Sequence, residues 1–153
     1  MKKAGSLFAA FLFAGCAAAV AVPLPPDVRV VPPAAAVPAH LAAFSGKWVG
    51  AWVTPPLVAG RIERRDHILV VEEIRGAGAA VVFALGSGLG LGIPDTKPVW
   101  FRLSGRFVDG ELKLPFPPTG GTVTYRMLPD GTLDATNQHG STIERAHMIR
   151  AKD

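Results

Sequence analysis

The only cysteine of the chain, Cys16, is the residue whose setting points to the most definite chemistry. It follows an apolar run, Leu7 to Ala14, and that run follows the basic pair Lys2 and Lys3. A basic start, an apolar stretch and then small residues are the layout of a secretory signal. The sequence therefore predicts export. A single thiol also excludes an internal disulfide and a multi-cysteine metal site.

A glycine-rich stretch is the next candidate for chemistry, and its glycines are Gly86, Gly88, Gly90 and Gly92. Such loops cradle phosphate groups when a helix begins directly after them. Here Ile93 and Pro94 follow, and no Lys-Ser/Thr pair completes a nucleotide-binding motif. We therefore expect a loop at the mouth of the fold, which is either a mobile lid or a plain connection.

The candidate ligand-binding residues are five aromatic and two charged side chains: Trp48, Trp52, Glu72, Phe83, Trp100, Tyr125 and Arg150. Glu72 lies mid-strand, and it points inward if Ile68, Val70 and Ile74 face the core. A buried carboxylate needs a partner, and the candidates are Arg126, Arg145 and Arg150. Such a pair either binds a polar head group or is a structural ion pair.

No catalytic or metal-binding constellation is complete, and we expect neither an enzyme nor a cofactor. His67, His139 and His147 lack the spacing of a ligand set. Ser87 fails the Gly-x-Ser-x-Gly pattern because Leu85 occupies the first glycine position. A basic cluster of Arg61, Arg64 and Arg65 is typical of a solvated loop.

The elements that would position these residues are short β-strands separated by turn residues. About eight strands are predicted: Lys47 to Val53, Asp66 to Arg75, Ala79 to Leu85, Pro98 to Val108, Glu111 to Leu114, Gly121 to Leu128, Thr132 to Gln138 and Ser141 to Arg150. Asp-Gly pairs at 109–110 and 130–131 suit tight hairpin turns. Successive antiparallel strands of this number predict an all-β, up-and-down barrel, which is either filled or holds one small ligand.

The rest of the chain divides by composition. Residues 1–15 form the predicted signal peptide, residues 16–43 a tether rich in proline and alanine, and residues 44–153 the barrel domain. The net charge of +4 comes from 16 basic and 12 acidic residues that are scattered along the chain. This charge pattern does not predict a nucleic-acid partner.

Residues 13–16 (FAGC) resemble a bacterial lipobox, although Phe13 stands where that pattern prefers leucine. The resemblance implies acylation of Cys16, and Ala17 after it implies anchoring in the outer membrane. The alternative is ordinary cleavage after Ala19 or Ala21, which gives a soluble periplasmic or secreted protein.

Gly46-Lys47-Trp48 on the first strand, with an arginine near the end of the last, resembles the lipocalin (calycin) arrangement. The candidates for that arginine are Arg150 and Arg145. That resemblance implies that the guanidinium packs on the indole at one end of the barrel. Residues 44–150 also resemble a family of uncharacterised exported bacterial β domains, which carries no established activity.

Three functions follow as expectations. The first is a non-enzymatic envelope protein that binds a small apolar or amphipathic ligand, with a membrane contact through acylated Cys16. The second is a structural or interaction module with a filled core. The third and weakest is an accessory domain of a hydrolase.

Overall fold

The computed structural model describes residues 22–54, 63–89, 91, 97–116 and 118–152. Cys16, Gly90, Gly92 and the predicted signal peptide lie outside them. A short helix precedes eight strands: α1 (Ala39–Ala42), β1 (Gly46–Thr54), β2 (Glu63–Arg75), β3 (Gly78–Leu85), β4 (Val99–Val108), β5 (Glu111–Phe116), β6 (Gly121–Met127), β7 (Leu133–His139) and β8 (Thr142–Arg150).

Each strand pairs antiparallel with the next, and β1 also pairs with β8, so the sheet is a closed barrel. This confirms the predicted all-β, up-and-down barrel. The turn between β4 and β5 has both central residues at positive φ, 54° at Asp109 and 79° at Gly110. That is the hairpin geometry expected of an Asp-Gly pair.

The interior of the barrel is filled by the chain's own side chains. Alternate residues of each strand point inward, and most of the largest are completely buried, among them Trp48, Trp52, Phe83, Leu85, Phe116 and Tyr125. Four rings contact one another in sequence across this core. The ring centres of His67 and Phe83 lie 4.3 Å apart and those of Phe83 and Phe116 5.0 Å apart, both pairs tilted, and Phe116 meets Phe101 edge to face.

One end of the barrel is closed by the segment around α1, where Leu41 and Phe44 join the core. The Trp48 indole N–H donates to the Phe44 carbonyl at 2.9 Å. Arg150 donates to the carbonyls of Ser45 and Ala43, each at 2.6 Å. These bonds join the first and last strands to the closing segment.

The outer wall of β2 and β3 is covered by residues 22–31, which we call the strap. Its Val22, Leu24 and Val28 pack on a second apolar cluster of Val70, Val82 and Ala84. The Val31 N–H donates to the Glu72 carbonyl at 2.7 Å. Apolar contacts therefore hold residues 22–31 of the predicted tether against the wall.

The side chain of Glu72 faces this outer wall, so the prediction that it points inward was wrong. Leu69 and Val71 face the core, while Ile68 and Val70 contact the strap. A β-bulge between Val71 and Glu73 then shifts the register. The bulge returns Ile74 to the core.

Among the described residues, none of the helical structure is long and apolar enough to span a bilayer.

Candidate functional site

The predicted ligand-binding residues do not converge on one pocket. Trp48, Trp52, Phe83 and Tyr125 are core residues that touch other side chains on every side. Glu72, Trp100 and Arg150 are elsewhere: Glu72 lies under the strap, Trp100 is exposed on the outer wall of β4, and Arg150 covers the closed end.

Arg150 and Trp48 form the contact that the resemblance implied. The guanidinium carbon lies 4.2 Å from the centre of the indole ring. Gly46 makes this approach possible, because a Cβ there would lie 2.7 Å from Arg150 Nη1. Its φ of +118° also favours glycine. The Gly-x-Trp motif therefore has a structural role at the closed end.

Glu72 takes part in an ion-pair network on the outer wall. Arg102 Nε donates to Glu72 Oε2 at 3.0 Å, and the same guanidinium reaches Asp27 of the strap at 3.1 Å. The hydrogen bond from Arg102 lowers the pKa of Asp27. The network fastens the strap, and Arg102 replaces the partners predicted for Glu72, which were Arg126, Arg145 and Arg150.

A neutral histidine lies in the centre of the core. His67 Nδ1 lies 2.8 Å from the Ala84 carbonyl, which can only accept, so Nδ1 carries the proton. His67 Nε2 therefore accepts from the Tyr125 hydroxyl at 2.7 Å. Burial lowers the pKa of His67 to about 4 and raises that of Tyr125. The pair is a satisfied polar link between β2 and β6.

The mouth of the barrel, at the other end from α1, is organised by the buried carboxylate of Glu144. Its Oε1 accepts from Thr54 Oγ1 at 2.6 Å and from the Leu91 backbone N–H at 2.7 Å. Its Oε2 accepts from Asn137 Nδ2 at 3.0 Å. Three strands and the glycine-rich loop thus meet at one side chain.

Leu91 of the glycine-rich loop plugs the mouth, because its side chain is fully buried in the core cluster. Its φ of +60° is a left-handed conformation that a leucine seldom adopts. Such an outlier persists only where surrounding contacts enforce it. Arg65 supplies further contacts, donating to the carbonyls of Gly86 at 2.9 Å and Lys97 at 2.8 Å.

The position of Arg65 corrects a second prediction, which was that the basic cluster of Arg61, Arg64 and Arg65 is a solvated loop. Arg64 and Arg65 belong to β2, and Arg65 is completely buried; Arg61 lies outside the described residues. Reasoning from the sequence also missed Asn137 and Glu144. The signal for Arg65 was periodicity, because it shares the inward face with Leu69 and Val71.

The interactions that the described residues make at the mouth are hydrogen bonds and apolar contacts. Trp52 Nε1 and Asn137 Oδ1 are buried and have no hydrogen-bond partner within the described part of the chain. Within the described ranges, no group of three or more potential metal ligands comes together.

Several surface depressions lie on the outer wall. One of about 470 Å³ lies beside Val22, between Val49, Ile68 and Ile149. Another of about 590 Å³ lies on β5 to β7 and is lined by Lys113, Thr122, Thr124, Thr136, Gln138 and Gly140. The outer wall therefore offers recesses of the size that small ligands occupy.

Neither the known protein families nor the curated proteins gave a significant match to this chain.

Proposed function

We propose that this chain is a non-enzymatic module of the cell envelope that acts through its outer wall. The observation that carries the proposal is the filled interior. Inward side chains of all eight strands pack together, and Leu91 closes the mouth above them. An eight-stranded barrel has room for its own side chains or for one small ligand, and here side chains occupy that room.

The cellular setting of this proposal rests on the start of the sequence. Basic Lys2 and Lys3, the apolar run and the lipobox-like residues 13–16 favour export, with acylated Cys16 as the anchor in the outer membrane. Cleavage after Ala19 or Ala21 is the alternative and gives a soluble periplasmic protein. The lipocalin-like Gly46, Trp48 and Arg150 motif agrees with this class of exported barrel.

A second function, gated binding of a small apolar or amphipathic ligand, is favoured by the strained plug. Leu91 adopts a left-handed conformation, and its backbone N–H donates to Glu144 Oε1. The unpartnered Asn137 Oδ1 lies on the residue that also bonds Glu144. Withdrawal of the plug would open the aromatic interior at this end.

A comparison of native and denaturing mass spectra of the exported protein distinguishes the two functions. The filled-barrel proposal predicts equal masses, because no molecule is retained inside. A discrete excess in the native mass would contradict it and support gated binding. The extracted molecule would then identify the ligand.

The variant Glu144→Gln sharpens this comparison. A glutamine retains the size of the side chain but replaces one acceptor oxygen with a donor, so it weakens the hold on Leu91. A filled barrel should still show equal masses and no binding of an apolar fluorescent probe. Probe binding that appears in Glu144→Gln, and not in the control Glu73→Gln on the outer wall, would favour the gated barrel.

A further inference from the structure

A cross-strand row of cationic and hydroxyl side chains runs over the outer wall of β4 to β8. The register pairs Arg106 with Lys113, Lys113 with Thr124, Thr124 with Thr136 and Thr136 with Arg145. We call this set the cationic row. Neighbouring strands lie about 4.8 Å apart, so the row follows the wall for about 19 Å.

The charges of the cationic row are only partly compensated. Arg106 and Arg145 are exposed, and neither forms an ion pair with a described residue. Lys113 Nζ lies 3.9 Å from Glu111, at the limit of an ion pair. Arg106 and Lys113 also face each other directly across two strands, where like charges are destabilising. An anion on this wall would relieve that repulsion.

Neutral hydrogen-bonding groups lie between the cations. The depression of about 590 Å³ begins at Lys113 and extends over Thr122, Thr124, Thr136 and Gln138. Hydroxyl and amide groups both donate and accept hydrogen bonds, as the hydroxyls of a sugar do. The surface therefore offers charge at its ends and two-way hydrogen bonding in its middle.

We propose that the cationic row binds an extended anionic saccharide. Its acidic groups would meet Arg106, Lys113 and Arg145, and its hydroxyls would hydrogen-bond the threonines and Gln138. The length of the row favours a chain of several sugars over a single small anion. None of the described residues that line the depression is aromatic, so they offer no ring on which a nucleic-acid base could stack.

This inference deepens the proposed function, because it names the partner of the outer wall. It relies on that proposal for one premise, which is that the protein acts through its outer wall. The mass comparison probes the interior and a saccharide titration probes the wall, so the two can fail separately.

The test is a calorimetric titration of the full exported protein with an oligogalacturonate longer than the row. A neutral maltooligosaccharide of equal length, single-stranded oligothymidylate and phosphatidylglycerol vesicles are titrated in parallel. We expect the carboxylated saccharide to bind, with an affinity that falls as salt rises. The neutral saccharide should not bind measurably.

Three double variants, one of them a control, distinguish binding at the cationic row from general attraction to a basic protein. Arg106→Gln with Arg145→Gln should weaken oligogalacturonate binding about tenfold or more, because each guanidinium can make charge-assisted hydrogen bonds. The control, Arg64→Gln with Arg75→Gln, removes the same charge from exposed positions on β2 and should change binding less than about twofold. Thr124→Val with Thr136→Val keeps the charge and should weaken binding by about threefold or more.

Three outcomes would overturn the inference. The first is no binding of oligogalacturonate by the parent protein at low salt. The second is equal loss in the row and control variants. The third is oligothymidylate or vesicle binding as tight as that of the saccharide and unaffected by the threonine variants, which would assign the wall to a nucleic acid or a lipid surface instead. Circular dichroism of each variant confirms that it is folded.

Discussion

At the scale of single residues, a neutral imidazole inside the barrel makes the protein sensitive to acid. The pKa of His67 is about 4 in the folded chain and 6.5 as an ordinary histidine, because burial disfavours the charged ring. The unfolded chain therefore takes up a proton before the folded chain does. The stability that His67 contributes is complete above pH 6.5 and is lost as the pH falls toward 4.

We expect this group alone to lower the free energy of unfolding by about 3 kcal/mol between pH 6.5 and pH 4. Urea unfolding at both pH values measures the loss. The variant His67→Gln should lose correspondingly less, since it has no imidazole to protonate. The control His147→Gln, on the exposed face of β8, should keep the parent's acid sensitivity. Equal acid sensitivity in His67→Gln and the parent would contradict this assignment.

The Trp48 side chain should contribute strongly to stability because it is completely buried and bonded to the closing segment. We expect Trp48→Ala to lower the free energy of unfolding by about 3–5 kcal/mol, as for other buried aromatic truncations. Arg150→Lys keeps the charge but loses the planar fork that reaches two carbonyls, so it should cost about 1 kcal/mol. Chemical denaturation measures both losses. A Trp48→Ala variant with an unchanged free energy of unfolding would contradict the role of Trp48 in closing this end of the barrel.

The contact between Trp48 and Arg150 could be anticipated, because short motifs in the first and last strands resemble the lipocalin arrangement. It did not reveal the cluster around Glu144. Thr54 and Leu91 come from β1 and the glycine-rich loop and reach Glu144 only when the barrel closes, whereas Asn137 faces Glu144 within the β7–β8 hairpin. Nothing local marks a side chain whose partners are distant in sequence.

At the scale of elements, β2 and β3 show why most strand bounds were predictable while one orientation was not. Turn residues separate the strands and are visible in the sequence. The face of β2 was misassigned because Ile68, Leu69, Val70 and Val71 are all apolar. Such a run indicates burial on both faces rather than alternation. The strap covers the outer face of β2, and the bulge after Val71 interrupts the alternation of inward and outward side chains.

The strap should be required for solubility, because its removal exposes an apolar wall of Val70, Val82 and Ala84. We expect a chain that starts at Pro32 to bind an apolar fluorescent dye and to self-associate, which light scattering measures. The variant Arg102→Gln should loosen the strap without removing it, giving faster proteolytic cleavage within residues 22–31. Arg106→Gln is the control, since Arg106 lies on the same strand and does not contact the strap. Equal cleavage of these two variants would contradict the fastening role of Arg102.

At the scale of the whole molecule, closure of the barrel depends on the two ends of the folded chain. β1 pairs with β8 over six residue pairs, from Trp48 opposite Arg150 to Val53 opposite Arg145. Closure removes the free strand edges that would otherwise promote aggregation. We expect a chain ended at Gly140 to lack a cooperative unfolding transition and to aggregate, as size-exclusion chromatography would detect. A monomeric, cooperatively folded product would show that seven strands suffice.

For a chain acylated at Cys16, as proposed above, the strap would limit the distance between the barrel and the membrane. Val22 contacts the wall beside Gly86, at the end that carries the glycine-rich loop. Five residues separate Cys16 from Val22. Because an extended chain advances at most about 3.6 Å per residue, Cys16 can lie no more than about 20 Å from Val22. With Cys16 acylated, the plugged mouth would be held within a short distance of the lipid headgroups.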